Sequence, residues 1–114
     1  MDRKKELKEK YRRMKPAMGV FRIYSQKTGK CYLEGTINLK AAMNRAIFQL
    51  NFGSCPNQML QSDWNQWGQT SFTVTIVDEL PYSEDGTPKD YKEEVLELKE
   101  IWAEKFRLDG LDLY

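Results

Sequence analysis

Apolar and polar positions change their period repeatedly along this 114-residue chain, and each change predicts an element. Residues 3 to 15 (RKKELKEKYRRMK) are rich in helix formers with one narrow apolar stripe, Leu7, Tyr11 and Met14, and Pro16 ends them. "GVFRIYSQ" alternates Val20, Arg22 and Tyr24 against Phe21, Ile23 and Ser25, the period of a strand. "QKTGK" then supplies a turn with Gly29, and "KCYLEG" returns as the second strand of a hairpin. From Asn38 the period lengthens: Leu39, Ala42, Met43, Ala46, Ile47 and Leu50 mark one helical face, with Asn38 as N-cap and Gly53 as stop. A second helix is expected over 57 to 67, where Leu60, Trp64 and Trp67 share a face and Gly68 follows. "SFTVTIVDEL" reads as a strand with Phe72, Val74 and Ile76 on one side. After a polar loop (PYSEDGTP), Asp90 and Glu93 resemble a capping pair for a last helix running to about Arg107. Its stripe is Tyr91, Val95, Leu98, Trp102 and Phe106, and "LDGLDLY" closes the chain as a turn against the body.

The order is therefore helix, strand, strand, helix, helix, strand, helix. Two strands joined by a five-residue turn must be antiparallel, and a third reached through two helices can join them, giving a small layered α/β or α+β structure. The apolar fraction of 40% and charged fraction of 31% are those of a globular chain, and the length suits one core. Residues 1 to 16 are expected to form a basic helical arm and residues 17 to 114 the domain.

Charge is distributed as a gradient beneath a net value of +1. Residues 1 to 15 carry eight Lys/Arg against three Asp/Glu, whereas residues 79 to 114 carry five against eleven. With no histidine, two cysteines (Cys31 and Cys55) and no CxxC, neither a zinc site nor a disulfide framework is expected. No run approaches the roughly 20 apolar residues of a membrane span. The opening MDRKKELKEK lacks the apolar core of a secretory signal, so the expected location is the cytoplasm, with no membrane partner and no small-molecule substrate implied.

Several short motifs now fall into one order. "GVF" (residues 19 to 21) precedes "YLE" (32 to 34), then "GTINL" before a helix, then "NQMLQSDWNQWGQTSFTVTIVDELPY" with a Leu-Gln pair, a small helix, a glycine and a Phe-led strand. In this order they resemble the GIY-YIG nuclease superfamily, the fold of many phage intron homing endonucleases, over roughly residues 18 to 114. The resemblance implies a small three-stranded antiparallel sheet flanked by helices, here with an extra N-terminal helix. It also implies hydrolysis of a DNA phosphodiester with one divalent metal: a tyrosine pair for proton transfer, an arginine against the phosphate charge and a glutamate on the metal.

Carried onto matching positions, that set is mostly substituted. The first tyrosine is Phe21, without a hydroxyl; the second, Tyr32, is retained. The motif glycine is Glu34, unless a bulge lets Gly35 take its place; the first register is preferred because Thr36, Asn38 and Leu39 then align. In it the arginine position is Ala42, with Arg45 one turn on but off the apolar face. The metal position is Lys99, whose ammonium has no lone pair to give, and the final polar position is Asp112. An ion pair between Lys99 and Glu34 would fill the old pocket.

Three functions follow. The leading one is a nuclease-like domain with an eroded centre, non-catalytic or weakly active, associated with nucleic acid through Arg3, Lys4, Lys5, Arg12, Arg13 and Arg45, and with no cofactor or metal expected. The second is an active Mg²⁺-dependent DNA endonuclease in which Tyr32 is a base, Arg45 replaces the missing guanidinium, and Glu34, Glu100 or Asp112 binds metal. The third is a protein-interaction domain in which Trp64, Trp67 and Trp102, partly exposed, form an aromatic contact patch. DNA and protein are thus the two partner classes left open.

Overall fold

The computed structural model describes residues 15–83 and 90–114. The predicted basic helix, apart from Lys15, and most of the predicted loop at 81 to 88 lie outside the described residues.

The hairpin forms where the alternation predicts it. Strand β1 (Met18–Ser25) pairs antiparallel with β2 (Cys31–Thr36) in a continuous register from Gly19↔Thr36 to Tyr24↔Cys31. The turn between them needs Gly29 at φ +74°, and the buried Ser25 Oγ accepts from Thr28 N at 3.2 Å. Helix α1 (Leu39–Phe52) starts at Asn38, whose side chain accepts from Ala41 N, and stops at Gly53 in the left-handed conformation. Helix α2 (Gln58–Trp67) is capped likewise by Asn57, and a short 3₁₀ turn (Gln69–Ser71) leads into β3 (Phe72–Leu80).

β3 returns antiparallel to β1, so the sheet order is β2-β1-β3. That places β1 in the middle, covered on both faces, and explains why Met18, Val20, Phe21 and Ile23 are all buried despite the alternating pattern. A bulge leaves Val77 unpaired: Val20 faces Asp78 while Phe21 faces Ile76. The bulge lies at the sheet edge, where Ile76, placed by alternation on the side of Phe72 and Val74, is 46% exposed.

Helix α3 (Lys92–Leu108) crosses the other face. The predicted capping pair at its start is replaced by a local turn: Tyr91 is the cap residue, no side chain caps it, and Asp90 Oδ1 accepts from Lys92 N at 3.0 Å. Glu93 and Glu94 occupy the first turn and Lys105 and Arg107 the last, each favourable to the helix dipole. Beyond Gly110, the final residues return to β2: Cys31 N donates to Asp112 O and Tyr114 N to Cys31 O, a short parallel bridge.

Two apolar clusters result, one on each face. Between the sheet and α1/α2 lie Phe21, Ile23, Leu39, Ala42, Leu50, Leu60, Trp64 and Phe72, with Tyr32 and Cys55 packed on them. Between the sheet and α3 lie Val20, Cys31, Leu33 and Ala103, with Leu98, Trp102 and Phe106. The three tryptophans therefore form no common patch. Trp64 is buried in the first cluster, Trp102 packs in the second and donates Nε1 to Asp78 at 3.0 Å, and Trp67 is 40% exposed with Lys27 over its ring.

Candidate functional site

Residues of a strand spaced by two share a face, so Tyr32 and Glu34 both project from β2 toward α1 and α2. Their cross-strand partners Ile23 and Phe21 point the same way. The Tyr32 hydroxyl donates to Glu34 Oε1 at 2.7 Å, and the ring packs on the cluster that contains Phe21 and Ala42. Burial pushes the Tyr32 hydroxyl well above the ordinary tyrosine range; the Glu34 hydrogen bond and charge push it further, and Cys55 adds to this. The phenol acts here as a hydrogen-bond donor to Glu34.

Helix α1 brings Ala42 to the same side. It is 1% exposed, in contact with apolar neighbours, and Phe21 beside it is fully buried. Arg45, one turn on, is exposed and engages no charged or hydrogen-bonding partner among the described residues. Helix α2 adds a polar brace: buried Gln61 donates Nε2 to Leu50 O and to Asn65 Oδ1, both at 2.9 Å, while its Oε1 accepts from Cys55 N at 3.0 Å. That brace holds the loop after α1 so that Cys55 packs beside Tyr32.

Lys99 does not share this face. It meets β2 at Gly35, where its Cβ would lie 3.4 Å from a methyl built on the glycine, and by strand alternation Gly35 faces away from Tyr32 and Glu34. Its ammonium lies 4.0 Å from Glu100 Oε1. The ion pair expected between Lys99 and Glu34 is therefore absent: Glu34 takes the tyrosine hydroxyl and Lys99 the next residue of its own helix. Asp112 is exposed and holds the edge of β2 through its backbone carbonyl. Arg3, Lys4, Lys5, Arg12 and Arg13 lie outside the described residues. Among the described residues no three His, Cys, Asp or Glu side chains gather as metal ligands, and no helix is long and apolar enough to cross a membrane.

Sequence reasoning missed the Tyr32–Glu34 pair and the Gln61 brace. The i, i+2 spacing of a phenol and a carboxylate on one strand was the available signal for the first. A glutamine between Leu60 and Trp64 carries no such signal, because its burial depends on a carbonyl eleven residues away.

The Tyr32 environment gives a pH prediction. A proton held more tightly in the folded state than in the unfolded one contributes stability below the unfolded value, about 10, that is lost as pH rises through the folded value. Tyr114 and Tyr82 are shifted the same way, so Tyr32→Phe should remove part of the alkaline fall in urea midpoint, not all of it. At neutral pH the same variant should cost about 1 kcal/mol for the lost hydrogen bond. An unchanged alkaline slope in the variant would contradict the assignment.

Two solved structures match this fold. The catalytic domain of the homing endonuclease I-TevI is 21% identical with a TM-score of 0.64, the match covering 83% of this chain and 94% of that one. A mutant of the catalytic domain of intron endonuclease I-TevI is 20% identical with the same TM-score, covering 84% and 90%. No protein-family model matches the chain, and no curated protein does. At this identity the likeness establishes the fold: the chain has the three-stranded, helix-flanked architecture of those two catalytic domains.

Proposed function

We propose that this chain is a nucleic-acid-associated module with a GIY-YIG fold and an eroded catalytic centre. The observation that carries the reading is Ala42. A methyl group sealed in the core at 1% exposure stands where the resemblance calls for a guanidinium beside the phosphate. Phe21 adds to it, since a buried ring without a hydroxyl transfers no proton. Tyr32 keeps its hydroxyl, but that hydroxyl is donated to Glu34, so the retained group is engaged within its own strand.

The fold implies a divalent metal, and the residues at the matched positions do not fit one. Lys99 offers an ammonium where a carboxylate is called for, and Mg²⁺ takes oxygen ligands. Glu100 and Asp112 are exposed, on α3 and at the edge of β2, and Glu34 is engaged by Tyr32. The interaction-domain alternative loses its tryptophan patch, because Trp64 is buried and Trp102 packs on the opposite face.

The association with nucleic acid rests on the cations of the first fifteen residues and on Arg45. If about four of them contact phosphates, binding should weaken with salt on a log–log slope of about −3 to −4. The test is direct. Purified protein and its Tyr32→Phe variant are incubated with plasmid and single-stranded DNA, with and without Mg²⁺ or Mn²⁺, and products are resolved on a gel. No metal-dependent nicking above background is expected from either; nicking that the variant abolishes would overturn the reading. Deletion of residues 1 to 15 should weaken a gel shift at low salt, and an undiminished shift removes the arm from the account.

A further inference from the structure

Helix α1 exposes two large rings. Phe48 and Phe52, one turn apart, are 61% and 74% exposed, with ring centroids 4.8 Å apart and planes inclined by 27°. Neither ring belongs to either core cluster, although the inward face of the same helix supplies Leu39, Ala42 and Leu50 to one of them. Arg45 lies on the same outer stripe, at i−3 from Phe48 and i−7 from Phe52, and is exposed.

The stretch of chain that carries the rings has charge of one sign. Residues 35 to 62 contain no Asp or Glu, and their only charges are Lys40 and Arg45, both exposed. The acidic surface is elsewhere: Glu93, Glu94, Glu97, Glu100 and Glu104 lie on α3, across the sheet from α1. A polyanion approaching the outer face of α1 itself therefore meets Lys40, Arg45 and the two rings, and is repelled from the α3 side. An exposed ring pair flanked by cations is what unpaired bases require, because every base has a π-face and its backbone a negative charge. Duplex bases are already stacked on one another and offer the rings little.

We propose that Phe48 and Phe52, with Arg45, form a stacking platform for single-stranded nucleic acid. This deepens the proposed function and rests on it. The platform binds unpaired bases on the outside of α1, apart from Tyr32 and Glu34.

The test is fluorescence anisotropy of the full chain with a labelled oligothymidylate and with a blunt duplex of the same length, at two salt concentrations. The unmodified chain should bind the single strand more tightly than the duplex. Phe48→Ala/Phe52→Ala should lose about tenfold to a hundredfold in single-strand affinity, with duplex affinity and salt slope unchanged. Phe48→Leu/Phe52→Leu, which keeps apolar bulk and removes the π-face, should lose nearly as much. Because both rings are largely exposed, both variants should keep the parent's melting temperature.

Retention of full affinity by either double variant overturns the platform while leaving the nucleic-acid reading intact. So does an equal loss for duplex, which would make the rings part of a general contact. A change in sedimentation that follows the rings, without a change in single-strand binding, would assign them to self-association and overturn the platform too. Absence of binding to either probe by the unmodified chain would remove both the platform and the function it rests on.

Discussion

Replacing Gly19 with alanine should lower the melting temperature by more than about 10 °C, from a loss of about 3 kcal/mol or more. A methyl on Gly19 would overlap the carbonyl oxygen of Asp78, with Glu79 Cα only 2.8 Å away. Both obstacles are backbone, so no side chain can rotate clear. Gly19 also sits at φ +153°, where a side chain is strained whatever the space around it. It lies between both neighbours of the central strand, opposite Thr36 on one side and Glu79 on the other, next to the β3 bulge. Moving β3 away would open the ladder that holds β1 at the centre. Thermal unfolding followed by circular dichroism checks this; a shift of less than about 2 °C would show that the strands accommodate a methyl and that the close approach is not required.

Gly35→Ala should cost about 2 kcal/mol for a related reason on the other neighbour of β1. Its Cβ would lie 2.5 Å from Val95 O and 3.0 Å from Val95 C, so α3 must lift where it crosses β2. Lifting α3 would loosen Val95 and, along the same helix, Ala103, both buried. Urea unfolding should show a lower midpoint with an unchanged slope, and the less tolerant Gly35→Val should fall further. Equal midpoints for the parent and Gly35→Ala would mean that the helix does not press on the strand there. The pair of predictions also bears on register. The β1–β2 ladder runs without a bulge through Phe21↔Glu34 and Val20↔Gly35, and the glycine that the packing requires is Gly35.

Much of the fold was legible because its signals are local. The turn at Gly29, the caps at Asn38 and Gly53, and the helical face through Leu39, Ala42 and Leu50 each depend on residues within a few positions of one another. Where a signal required a distant partner, it misled. Trp67 keeps the helical spacing of Leu60 and Trp64, yet it stands at the last turn of α2 with Lys27 over its ring instead of core. Ile76 alternates correctly with Phe72 and Val74, but the bulge beside it and its edge strand leave it exposed.

The candidate site divides in the same way. That Phe21 lacks a hydroxyl, that Ala42 lacks a charge and that Lys99 lacks a lone pair are matters of side-chain chemistry, read from one line of residues. The antiparallel hairpin, the helix order and the gradient from basic arm to acidic last third belong to that line as well. Which side of the sheet each helix covers was decided by long-range packing, since a strand's alternation says only that two residues face opposite ways and not what lies opposite. That choice put Ala42 with Tyr32, put Lys99 behind Gly35, turned the tyrosine hydroxyl onto Glu34, and left Phe48 and Phe52 outward on a helix that carries no carboxylate.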